Sequence, residues 1–221
     1  MLLDTLPEQT KSHHGLVDSV TFRELADLMR FPLPAQARLA AARFRLQHTA
    51  ASEVLYRSGD PFESLFVVRS GLIDRAVANG GQKQVVGFIL TGETAGVDSF
   101  QNGKHSVAAT PLGPVEVALL PITKLRQLAE LAGERELGEQ VIRWILIQAT
   151  AQDNGLLRHP ETLGTRTRVG ALLLSLGRRF EPVHSIRAPL DFAIPDAEIG
   201  SYLGLPPRAV RDVLREFVDA G

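Results

Sequence analysis

Pro195-Asp-Ala-Glu-Ile-Gly-Ser-Tyr-Leu-Gly-Leu-Pro-Pro-Arg-Ala-Val-Arg-Asp-Val-Leu-Arg-Glu-Phe217 reads as a helix, a tight turn and a second helix. Ile199, Leu203 and Leu205 lead into Val210, Leu214 and Phe217, a spacing that buries one face of each helix against the other. Gly204 stands where the chain must turn sharply, and Pro206 or Pro207 suits the first turn of the next helix. This is the pattern of a helix-turn-helix, whose second helix lies in a DNA major groove. Helical hairpins with a glycine turn also serve as plain packing units, so both uses stay open on this segment alone.

The 221 residues have room for one large domain or two ordinary ones, and 44% apolar residues suffice for real cores. No apolar run approaches the length of a membrane span. Met1–Leu6 contains Asp4 and no basic stretch, unlike a secretory signal, so a cytoplasmic protein is expected. The absence of cysteine excludes disulfides, thiolate metal sites and cysteine nucleophiles. A formal net charge of −1 points to no polyanionic partner, so any claim on DNA must rest on local charge.

Thr21–Met29 and Ala35–Leu46 are expected as helices, separated by the breaker Phe31-Pro-Leu-Pro34. Short β-rich runs follow at Val54–Tyr56, Leu65–Val68, Leu72–Ala78, Gln84–Leu90, Ser106–Ala109 and Val115–Leu119, the spacing of a small antiparallel sandwich or roll. Ile122–Leu131 returns to helix, and a long helix runs from Glu134 to about Leu157. Along it Leu137, Val141, Trp144, Gln148, Ala151 and Gly155 repeat near every 3.5 residues, as in a helix paired with its twin; burial within one subunit is the other arrangement this spacing fits. Thr165–Phe180 is expected as a helix and Ile186–Phe192 as a strand. The domains expected are 1–132, a β-roll sensor with N-terminal helices; 133–159, a dimerisation helix; and 160–221, the helix-turn-helix unit.

Val54-Leu-Tyr-Arg-Ser-Gly-Asp-Pro-Phe-Glu-Ser-Leu-Phe-Val-Val-Arg-Ser-Gly71 resembles the cyclic-nucleotide-binding β-roll of the cAMP receptor protein and its relatives. Gly59-Asp60, Gly71, Gly92-Glu93 and Gly96 match the turns of that roll. With the long helix and the terminal helix-turn-helix, the resemblance to Crp/Fnr-type transcription regulators spans nearly the whole chain. Ile199-Gly-Ser-Tyr-Leu-Gly-Leu205 is especially similar to the oxygen-sensing fumarate-nitrate regulator branch. The resemblance implies an α+β fold: a cyclic-nucleotide-binding-like antiparallel β-roll, a long dimerisation helix and a C-terminal winged helix-turn-helix. The sequence ends at Gly221, where the wing of relatives begins, so the wing is expected to be absent or incomplete. The partners implied are a second copy of the chain, a palindromic double-stranded DNA operator and RNA polymerase, with no membrane.

Oxygen-sensing members of that branch hold an iron–sulfur cluster on cysteines spaced C-x-x-C-x(5)-C, with a fourth before the end of the roll. Here Arg23-Glu-Leu25 is kept, but the four positions read Val17, Val20, Ala26 and Ala118. A cluster needs thiolates, so no cofactor is expected. Cyclic-nucleotide pockets of the family use a Gly-Glu pair for the ribose and an Arg-Ser pair for the phosphate; the matching positions are Gly96-Val97 and His105-Ser106. Val97 removes the hydroxyl acceptor and His105 replaces a bidentate arginine, so cAMP binding is not expected. Gly92, Glu93, Gly96, Val97, His105 and Ser106 are therefore the effector-pocket candidates, with the effector left open. The histidines, His13, His14, His48, His105, His159 and His184, are scattered without metal-ligand spacing and are expected at the surface or in loops. Asp98-Ser99 beside His105 lies in a turn-rich stretch, and no nucleophile elbow or phosphate loop occurs, so no enzyme is expected.

Where the branch presents Glu, Ser and Arg to DNA bases, this chain has Arg208, Arg211 and Asp212. Arg208 or Arg211 can read guanine and Asp212 can accept from cytosine, which implies DNA binding with changed specificity. Ser201, Pro207 and Arg215 complete the expected DNA-contacting set. Arg208 and Asp212 can also simply brace each other along the helix. Pro195–Gly221 carries three arginines against five carboxylates, a weak attraction for phosphates unless the acids point away. The competing expectation is a degenerate relative, a dimeric small-molecule-binding or protein-interaction module without operator recognition.

Overall fold

The computed structural model describes residues 18–100, 102–152, 163–180 and 194–220. Its strands are β1 (Ser19–Thr21), β2 (Arg43–Thr49), β3 (Ser64–Ser70), β4 (Ile73–Asn79), β5 (Gln82–Ile89), β6 (Thr94–Ala95), β7 (Ala108–Pro111) and β8 (Val115–Pro121). They pair antiparallel in two sheets, ordered β1-β2-β8-β3-β6 and β5-β4-β7. The helices are α1 (Phe22–Leu28), α2 (Ile122–Leu131), α3 (Arg135–Gln152), α4 (Thr165–Arg179), α5 (Asp196–Leu203) and α6 (Pro207–Asp219).

Successive side chains of a strand face opposite ways, and the two central strands use this to feed two cores. Ala118 and Leu120 of β8, with Leu65 and Val67 of β3, enter a core shared with α1, α2 and α3. Val115 and Val117 of β8, with Val68 of β3, face the interior of the roll beside Ile73 and Ile89. Val68 continues the alternation of Leu65 and Val67, and a register shift follows between Val68 and Ser70. A capping box starts α1: the Glu24 amide donates to the Thr21 hydroxyl and the Thr21 amide to the Glu24 carboxylate.

The helix expected over Ala35–Leu46 is a correction. That stretch makes one 3-10 turn, Arg38–Ala41, and then enters β2. The alanines favour helix, but from Arg43 onward the pattern alternates: Phe44 is buried between exposed Arg43 and Arg45. Pairing with β1 on one side and β8 on the other rewards that alternation. The turn is held by the Glu134 carboxylate, which accepts from the amides of Arg38 and Leu39 at 2.7 and 2.8 Å. Tyr56 makes only an isolated bridge to Ala109, and the strand expected at 186–192 lies outside the described residues.

A third core joins the two halves. Val169, Leu172 and Leu176 of α4, Ile199 and Leu203 of α5, and Val210 and Val213 of α6 pack with Leu72, Val85, Phe88 and Leu90 of the roll. The terminal helices thus rest on the β4–β5 hairpin. Among the described residues no helix is long and apolar enough to cross a membrane.

Candidate nucleic-acid interface

The turn between α5 and α6 follows from two glycines. Gly204 ends α5 in the left-handed region at φ 64°, and the Leu205 amide returns to the Gly200 carbonyl at 2.8 Å. At Gly200 a side chain is impossible, because a Cβ would sit 2.6 Å from the Leu205 carbonyl oxygen. Pro207 begins α6, where its missing N–H costs nothing. Val210 and Val213 turn inward, while Pro207, Arg208, Arg211, Asp212 and Arg215 are exposed. The polar face of the second helix is therefore presented to solvent, three guanidiniums strong.

Arg208 and Asp212, which could brace each other, form no ion pair among the described residues. Arg211 instead reaches across to α5, where its Nε donates to Asp196 Oδ2 at 2.7 Å. Glu216 turns toward Arg166 of α4 at 3.6 Å. Three of the five acids are thus paired: Asp196 with Arg211, Glu216 with Arg166 and Glu198 with Lys83.

Ser201 occupies a different setting. Its hydroxyl accepts from the Val85 amide at 2.9 Å and donates to the Lys83 carbonyl at 3.2 Å. Beside it Lys83 Nζ lies 3.2 Å from Glu198 and 2.6 Å from Asp74, whose carboxylate is wholly buried. Burial pushes the Asp74 carboxyl above its ordinary range, against the opposing pull of Lys83. Tyr202 packs on Phe88 with ring centroids 5.4 Å apart. In this arrangement α5 caps the open edge of β5, and Ser201 is engaged by the roll.

The six effector-pocket candidates separate into two groups. Gly92 and Glu93 line a cavity of about 350 Å³ at the meeting of α1, the β5–β6 turn, α3 and α4. Gly96, Val97, His105 and Ser106 lie in a packed corner of the roll. There the His105 ring stacks on Tyr56, with centroids 3.7 Å apart, and meets Phe62 edge-on. His105 Nδ1 is 2.7 Å from the Ser99 hydroxyl, and Ser106 donates from both its amide and its hydroxyl to Asp98. His105 lies in the loop before β7, as one of the two expected settings has it, but it is 4% exposed and so not at the surface. Burial holds its pKa below the ordinary value although Asp98 and Asp60 oppose this.

Val20, Ala26 and Ala118 share the core of α1 and β8, all nearly or wholly buried, and Val17 lies outside the described residues. These apolar side chains offer a metal no donor atom. On α3 the residues of the expected seam divide between buried and open positions. Val141 is wholly buried in its own subunit, and Trp144 donates from Nε1 to the Met29 carbonyl and meets Phe31 edge-on. Leu137 is half-buried and Gln148 exposed; the side chain of Ala151 and all of Gly155 lie outside what is described. The stripe α3 leaves open is Gln140, Arg143 and Ile147, because the roll has already taken the more apolar face.

A family model described as the cyclic nucleotide-binding domain matches residues 46–131. The transcriptional activator FnrA of Stutzerimonas stutzeri is 30% identical over 174 residues, 76% of this chain and 68% of that protein. This chain belongs to the Crp/Fnr-type transcription regulators. The transcriptional activator anr of Pseudomonas aeruginosa is 29% identical over 170 residues, 76% of this regulator and 68% of that protein. FixK2 from Bradyrhizobium japonicum is similar in fold, with a TM-score of 0.57 at 23% identity over 80% of the regulator and 86% of that chain. Of the residues that distinguish the site, Arg30 and Arg178 at the cavity escaped sequence reasoning. Scattered arginines carry no periodic signal until α1 and α4 are brought together.

Proposed function

We propose that this regulator is a homodimer that binds an inverted-repeat operator through α6 and works with RNA polymerase, without an iron–sulfur cluster and without cAMP. The exposed face of α6 carries the reading: Arg208, Arg211 and Arg215 stand clear of the core that Val210 and Val213 anchor. Arg208 and Arg211 are suited to the O6 and N7 of guanine, Asp212 to the N4 of cytosine, and Arg215 to a phosphate. Pairing of α3 with its twin along Gln140, Arg143 and Ile147 would carry two such helices to half-sites ~34–36 Å apart.

The apolar core positions Val20, Ala26 and Ala118 support the absence of a cluster. The stacked rings of Tyr56 and His105, with Phe62 edge-on to them, fill the corner where a cyclic phosphate is held in nucleotide-binding relatives, which supports loss of cAMP binding. Docking of α5 on β5 occupies Ser201, and loosening that contact would free the helix pair to re-aim toward an operator. The regulator acts in the cytoplasm and is no enzyme.

Fluorescence anisotropy of a labelled inverted-repeat duplex, read across a salt series with sedimentation of the same complex, tests this function. A dimer on one duplex whose affinity falls steeply with salt is expected. A monomer, or affinity indifferent to sequence at every salt concentration, would favour the degenerate protein-interaction module.

A further inference from the structure

Arg211 and Asp196 lie on different helices of the terminal hairpin, and the core beneath them sets their separation. Val210, next to Arg211, is wholly buried, and Ile199, one turn on from Asp196, is nearly so. Both enter the core shared by α4, α5 and α6, which holds the two helices in one register. The turn between them allows no slack, because Gly200 meets the Leu205 carbonyl with no room for a side chain. Asp196 stands in the first turn of α5, where the helix dipole favours a negative charge. Its side chain is 26% exposed and that of Arg211 53%, so the pair sits at the rim of the hairpin.

The atom that makes the contact decides its use. Arg211 donates from Nε to Asp196 Oδ2 at 2.7 Å. A guanidinium is planar and carries five N–H donors, so a bond at Nε orients the plane and leaves the N–H bonds of the two Nη nitrogens. One N–H from each Nη lies parallel at the end of the fork, the geometry that meets a pair of acceptors. The ion pair carries no net charge. A phosphate therefore gains little from Arg211 and is repelled by the carboxylate beside it, whereas the uncharged O6 and N7 of guanine still meet a full donor pair. Arg208 and Arg215 are exposed and make no ion pair among the described residues, so their guanidiniums are left to be ordered on binding.

We propose that Asp196 is a positioning residue for base recognition: it holds the plane of Arg211 so that both Nη nitrogens donate to O6 and N7 of one guanine in each half-site. Asp196 itself touches no base. The inference rests on the operator-binding function above and adds what sets its specificity. It also reverses the sign expected from charge alone. Pro195–Gly221 carries five carboxylates against three arginines, so losing one acid should strengthen binding to every duplex by easing repulsion. Losing Asp196 should instead weaken the preferred site relative to its variants.

The test is operator discrimination, read as the ratio of affinities for the selected repeat and for the same repeat with one guanine replaced by adenine. R211A identifies the guanine that Arg211 faces, as the position where the ratio collapses. D196A should lower the ratio there by about tenfold, the scale of one bidentate base contact, and leave other positions unchanged. The double variant should lose no more than R211A alone, because the carboxylate acts through the guanidinium. D196N, whose amide oxygen can still accept from Nε, should keep more discrimination than D196A. Unchanged discrimination in D196A, a uniform gain on every duplex, or losses that add in the double variant would overturn the proposal. So would an R211A variant whose lost preference is for a base other than guanine. A parent chain that prefers no sequence defeats the operator function and this inference together. A parent that discriminates no better than D196A, while both bind one repeat, defeats only the inference.

Discussion

The hydroxyl of Ser201 is bound to the main chain of Val85, accepting its amide at 2.9 Å. One side chain of the helix-turn-helix thus closes the edge of a sensor strand, beside the Lys83 bridge from Glu198 to Asp74. Through these contacts the terminal helices and the roll share one core.

Replacing that hydroxyl should loosen the two halves without unfolding either. Ser201→Ala removes the partner of the buried Val85 amide, a loss of about 1 kcal/mol. Hydrogen exchange at Val85 should accelerate several-fold while amides of β3 and β8 stay protected. Unchanged exchange at Val85 would show that the contact is not maintained in solution.

The Lys83 bridge makes a sharper demand. Lys83→Met leaves the Asp74 carboxylate buried without its cation. Because the lysine end is partly hydrated, the expected cost is about 2 kcal/mol rather than the larger penalty of a fully buried pair. Urea unfolding should show this loss, and adding Asp74→Leu should recover much of it. A K83M variant as stable as the parent would contradict the bridge.

His105 sets an acid limit on the fold. Its pKa is lowered in the folded chain, so the unfolded chain binds the proton more readily. The stability this contributes is complete above the ordinary value of 6.5 and is lost as pH falls through the lowered folded value. Denaturation midpoints should decline across that interval, and His105→Phe, which keeps a ring against Tyr56, should flatten the decline. An identical pH profile in the variant would assign the acid sensitivity to other groups.

Much of the fold was legible in the sequence because its signals are local. Alternation in β3, β4, β5 and β8, the breaker at Phe31-Pro-Leu-Pro34 and the Gly204 turn each act within a few residues. The Ala35–Leu46 segment was misread because its alanines speak for helix locally, while the pairing of β2 with β8 is settled some seventy residues away. The burial of Val141 escaped the sequence for a related reason. A 3.5-residue repeat marks an apolar stripe but does not say which neighbour covers it, and here the roll does. At the site, the solvent-facing arginines of α6 were readable from helix period. The Ser201–Val85 contact and the meeting of Arg30 with Arg178 depend on docking between distant elements, which leaves no periodic trace.

The arginines of α6 should separate by role. Arg208→Ala should cost about 1–3 kcal/mol on the preferred operator and relax specificity at one base pair. Arg215→Ala should weaken all duplexes alike and reduce the salt slope by about 1. Binding isotherms on the operator and on single-base variants, at several salt concentrations, distinguish the two patterns. Identical behaviour of both variants would contradict the assignment.

The most direct test of the whole account is selection from random duplex DNA at low salt, run in parallel with the parent chain and with Ser201→Ala. The account predicts an enriched inverted repeat whose half-site centres lie about one helical turn apart, with guanine or cytosine at the positions facing Arg208, Arg211 and Asp212. Enrichment should be at least as strong for Ser201→Ala, whose hold on the roll is weakened. Failure of both proteins to enrich any repeated sequence would contradict operator recognition by this regulator.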